Sequence, residues 1–132
     1  MNGTFDPAKL TKDDLEDLLD ATIGEMRQAF LEMLDPEWRF AVKRLKTEDP
    51  EQHKMAVRAK SRLLNAIQEL ELIELAGILD DLRANAADLR AARKSLKKAV
   101  QKMDQVAKVV NGVAGVLKVL NKIAGKAIDV LV

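Results

Sequence analysis

The residues able to do acid–base, nucleophilic or metal chemistry are few and scattered. A serine or threonine nucleophile needs an activating base, and the single histidine, His53, sits between Gln52 and Lys54 near the predicted start of a helix. Ser61 and Ser95 have neither a glycine-bounded strained turn nor a neighbouring histidine. Helical di-metal sites need Glu-x-x-His pairs on facing helices, and the sequence contains none. Glu74, Asp80 and Asp81 read as a solvated acidic face. Gly112 and Gly115 lack the preceding strand and following Lys-Ser/Thr of a phosphate loop. With no cysteine, thiolate chemistry and disulfides are excluded. The expectation is a non-enzymatic protein with no cofactor, no metal and no small-molecule substrate.

Charge is the stronger signal. The net value of +1 conceals segregation into blocks: −6 over residues 1–35, +4 over 36–68, −5 over 69–89 and +8 over 90–132. Such alternation predicts acidic helices lying against basic ones, within a chain or between chains. Arg90, Arg93, Lys94, Lys97, Lys98 and Lys102 form a basic stripe, the electrostatic footprint of phosphate binding. No aromatic residue interleaves it and no helix-turn-helix pattern accompanies it, so nucleic acid is the weaker reading.

These residues have to be positioned by helices. Hydrophobic residues make up 48% of the chain and charged residues 33%, while Phe5, Phe30, Trp38 and Phe40 are its only aromatics. Leu, Val, Ile and Ala in a Lys/Glu/Arg-rich chain is the composition of long helices and coiled coils. Each of the three prolines, Pro7, Pro36 and Pro50, follows an aspartate. Asp-Pro puts a capping side chain just before a residue suited to the first helical turn. Thr11 with Asp14, and Asp49 with Gln52, have capping-box spacing. Helices are therefore expected over about 12–34, 36–46 and from 50 onward. In the second, Trp38 shares a face with Val42 and Leu45 while Phe40 points elsewhere, so one of the two aromatics is a candidate partner anchor.

From Pro50 onward the chain has no proline. Every seventh residue from Leu75 is apolar: Leu75, Leu82, Leu89, Leu96, Met103, Val110, Leu117, Ala124 and Leu131. A second series three positions on, which includes Leu120, is apolar except at Asn85. This heptad repeat predicts helices packed at shallow angles. One unbroken helix would run about 120 Å at 1.5 Å per residue. Such a rod must either break and fold back or be covered by other copies. Asn111-Gly112 and Gly115 are the first expected hinge, Asn85 the second. The expected layout is an all-α helical bundle, coiled-coil-like. Two short N-terminal helices pack on a long helix over 50–110, and an amphipathic helix follows over 113–131. The deepest burial is expected between Leu70 and Leu82, where the chain is apolar nearly all round.

The C-terminal segment opposes a broad apolar face, including Val113, Val116, Ile123 and Ile128, to Lys118, Lys122 and Lys126. Helices lying at a membrane interface have this character, although the usual aromatic anchors are missing. The longest charge-free stretch there, residues 109–117, is far short of the roughly 20 residues that a span needs. The leading functional expectation is a protein-interaction and self-assembly module, a homo-oligomer or a binder of helical partners, that uses the seam from Leu75 to Leu131. The alternative is binding to, or pore formation in, anionic membranes through 106–132. The first residues lead into an acidic stretch, not an apolar one, so cytoplasmic residence without a secretory signal is expected. Peripheral membrane association and signal-independent export are the departures from that expectation.

Overall fold

The computed structural model describes residues 6–124. Within them the chain forms a 3-10 turn at Pro7–Lys9 and six helices: α1 (Lys12–Glu32), α2 (Pro36–Glu48), α3 (Pro50–Leu72), α4 (Leu75–Ala84), α5 (Ala86–Ala99) and α6 (Val106–Ala124). No strand occurs among the described residues. The helices pack against one another as a bundle.

The capping signals act as local chemistry dictates. At α1 the Asp14 N–H donates to Thr11 Oγ1 at 3.1 Å, and the Thr11 N–H donates back to Asp14 Oδ2 at 2.9 Å. This reciprocal box satisfies two of the orphan donors of a helix start. Asp49 accepts from the Gln52 N–H at 3.2 Å, but the return bond is not made, and Gln52 Oε1 is buried with no hydrogen-bond partner. Asp35 precedes Pro36 without a side-chain cap. Before α1, Asp6 Oδ1 accepts from the Ala8 N–H at 3.1 Å. The Arg83 guanidinium donates to the carbonyls of Pro7 and Leu10, tying this turn to α4.

The long helix expected over 50–110 is not continuous. It breaks at Ile73 and Glu74, at Asn85, and across residues 100–105. Asn85 takes a non-helical conformation (φ −111°, ψ 12°) and its Nδ2 donates to the Asp81 carbonyl at 2.8 Å. The other two breaks carry neither proline nor glycine, and their cause is tertiary. Ile73 and Glu74 are extended, which lets the chain turn back so that Leu70, Ile78 and Leu82 are all buried. Met103, 2% exposed, anchors the turn that reverses α5 into α6. Conversely, the hinge expected at Asn111, Gly112 and Gly115 is absent, because α6 runs through all three. A Cβ at Gly112 would meet the Leu96 backbone and the Ala99 side chain at 3.4 Å. The missing side chain there lets α5 and α6 approach closely, as small residues do at tight helix contacts.

The core centres on α6, which packs against α5, α3, α4 and α2, while α1 lies on α5, α3 and α4. Val109, Val113, Val116, Leu117 and Leu120 are fully buried, each such side chain contributing about 1.5–3 kcal/mol relative to exposure. The deepest burial is therefore here and not in the stretch from Leu70 to Leu82. That stretch holds Leu72, 82% exposed. Thr22 is the one polar residue among those described that is buried as a whole, and its hydroxyl donates to the Leu18 carbonyl at 2.8 Å.

Candidate protein-interaction surface

The seam residues come together, but inside one chain. Leu82, Leu89, Leu96, Met103, Val110, Leu117 and Leu120 are all buried, and Leu75 is half-buried. Because the chain reverses at 100–105, α6 lies against α5 and α4, and the pieces of the seam meet within one chain. Leu131 lies outside the described residues. Of the candidate membrane face, Val113, Val116 and Ile123 point into the same core, while Lys118 and Lys122 are exposed. Ile128 and Lys126 lie outside the described residues. No helix among the described residues is long and apolar enough to cross a membrane.

The two aromatics of α2 part company: Trp38 is 3% exposed and Phe40 is 66% exposed. Trp38 stands at a groove between α2 and α3. Met33, Trp38, Val42, Ala56 and Val57 supply its apolar lining, and Arg39, Lys43, Lys46, His53 and Lys60 its polar lining. The polar contribution is basic or imidazole from both helices, and no acidic side chain enters it. Helical spacing explains the arrangement. Arg39, Val42, Lys43 and Lys46 recur at three and four residues along α2, as His53, Ala56, Val57 and Lys60 do along α3, so each set forms one stripe. The short link at Asp49 lays the stripes side by side. Val57 remains 51% exposed.

Three other depressions are polar or mixed in charge. Ser95, Lys98, Lys102, Gln105, Lys108 and Asn111 surround one at the α5–α6 turn. A second, between the end of α2 and the start of α6, mixes Arg44 and Lys108 with Glu48, Asp49 and Asp104. Arg90 and Arg93 turn instead toward α1, beside Asp14 and Asp17. The basic stripe read from the sequence is thus divided, part of it set against the acidic helix. Among the described residues no group of His, Asp and Glu side chains is placed to hold a metal ion.

Sequence reasoning did not single out the groove, because its two walls lie on different helices. The available signal was the matched basic periodicity of α2 and α3 around small and branched apolar residues. Comparison of the chain with known protein families, curated proteins and solved structures returned no match.

Proposed function

We propose that this chain is a non-enzymatic helical interaction module whose working surface is the α2–α3 groove, and that it takes an acidic amphipathic helix. The observation that carries the reading is a basic-walled groove whose apolar lining includes the half-exposed Val57. An apolar stripe entering the groove removes that surface from water, and carboxylates beside it meet Arg39, Lys43, Lys46 and Lys60. This is helix-in-groove recognition with electrostatic selection of the partner. Phe40, on the adjoining outer face of α2, supplies additional apolar contact area.

Trp38 is the only tryptophan in the chain and reports directly on occupancy. Titration with a model amphipathic helix of Leu and Glu should shift or quench its emission at micromolar concentrations. A Leu/Lys helix of the same length should leave it unchanged. No response to the acidic helix, or an equal response to both, would refute the reading.

A second reading, association with anionic membranes through α6, draws on the exposed row of Lys108, Lys118 and Lys122 on the most apolar helix. Its apolar face is enclosed, so α6 must leave the bundle before it can insert. Flotation of the full chain with phosphatidylserine vesicles, and dye release from them, tests this. Neither binding nor leakage would end it.

A further inference from the structure

Leu72 is 82% exposed at the end of α3, more than any other large hydrophobic residue described. Glu69, Glu71 and Glu74 surround it in sequence and all are exposed. This corner is an apolar tip set among carboxylates. Arg27 pairs with Glu71 at 3.0 Å across two half-exposed side chains, which leaves the acidic character of the corner in place. The α2–α3 groove has the opposite character, apolar within and basic at its walls. The tip cannot reach the groove of its own chain. Both are built on α3, where Lys60 and Leu72 are about 18 Å apart at roughly 1.5 Å per residue.

Resting on the groove reading above, we infer that the partner is a second copy of this chain, docked head to tail: the Leu72 corner of one copy enters the α2–α3 groove of the next. The charge match is between Glu69, Glu71 and Glu74 at the corner and Arg39, Lys43, Lys46 and Lys60 at the groove, and Leu72 is the anchor. A contact between two different patches is heterologous, so every added copy leaves one free corner and one free groove. Assembly therefore proceeds to open chains or closed rings instead of stopping at a twofold dimer. The surfaces are small and their charges exposed, so association is weak and sensitive to salt.

The test is sedimentation velocity and light scattering on the full chain from roughly 10 µM to 1 mM, concentrations spanning weak association. The wild-type mass should rise past that of a dimer and fall back when salt is raised. Leu72→Asp removes the tip, and Lys43→Glu with Lys60→Glu reverses the groove. Each variant alone should weaken association at least tenfold, Leu72→Asp by the loss of one buried leucine and the lysine pair by turning attraction to the Glu69, Glu71 and Glu74 carboxylates into repulsion. All three positions are at least partly exposed, so unchanged circular dichroism and melting temperature confirm that the variants fold. Mixed together, the two variants should form a one-to-one pair and go no further, since one retains a groove and the other a tip. A monomer at every concentration, association that survives Leu72→Asp, or variants that fail to pair would each overturn the inference. If Trp38 still responds to the acidic model helix in a chain that stays monomeric, the groove reading stands and only the identity of the partner fails.

Discussion

The α4–α6 half and the α2–α3 half of the molecule use apolar residues in opposite ways. In the first, apolar residues recur every seven positions and are buried, with Leu82, Leu89, Leu96 and Leu117 at 0% exposure. In the second the pattern is less regular, and Phe40, Met55 and Val57 remain 66%, 44% and 51% exposed. Regularity of the repeat thus marks the surface that the chain covers with itself. The surface left exposed is the irregular one, where cations flank apolar residues. A long heptad seam states that something must cover it, and here the turn at 100–105 lets the seam cover itself.

Leucine truncations should break this contrast most sharply. Leu117→Ala, at the centre of α6, should cost about 2–5 kcal/mol in urea unfolding. Phe40→Ala and Leu72→Ala should stay within about 0.5 kcal/mol, as exposed positions do. A Phe40 or Leu72 effect as large as that of Leu117 would erase the distinction between the two halves.

The glycines of α6 sharpen the comparison within one helix. Gly112→Val should destabilise by about 1–3 kcal/mol, because the added atoms meet Leu96 and Ala99 across the α5–α6 contact. Gly115 has nothing within 4 Å of an added Cβ, so Gly115→Ala should stabilise by about 0.5–1 kcal/mol through helix propensity. Opposite signs three residues apart would show that this stretch is packed helix and not a hinge. A smaller effect is expected at the start of α1, where Thr11→Ala removes one half of the capping box and should cost about 1 kcal/mol in thermal or urea unfolding.

What the sequence made legible was what local chemistry controls. Asp-Pro pairs and the Thr11 cap placed the starts of α1, α2 and α3, and a break was expected at Asn85, although Asn85 stands at φ −111° and not in the left-handed conformation on which that expectation rested. The separation of Trp38 from Phe40 followed from helical geometry alone. The turns at Ile73 and around Met103 were not legible, because no backbone-breaking residue marks them. They exist because the folded-back arrangement buries more apolar surface than a rod does. Asn111-Gly112 misled for the complementary reason: a glycine that permits close helix packing has the same letter as one that ends a helix. Leu72 lies in a run that is apolar nearly all round, and it faces water because it sits about 200° around α3 from the buried Leu70, opposite the stripe that α3 turns to the core. The groove needed α2 laid beside α3 before its two basic stripes became one site.

Amide hydrogen exchange of the full chain, at concentrations a hundredfold apart, most directly tests whether one copy encloses its own heptad seam. Amides of α6 around Val113, Val116 and Leu120 should be the slowest in the molecule, with protection unchanged by dilution. If protection there collapses as the protein is diluted, another copy covers the seam, and the division between a self-enclosed half and an exposed half is wrong.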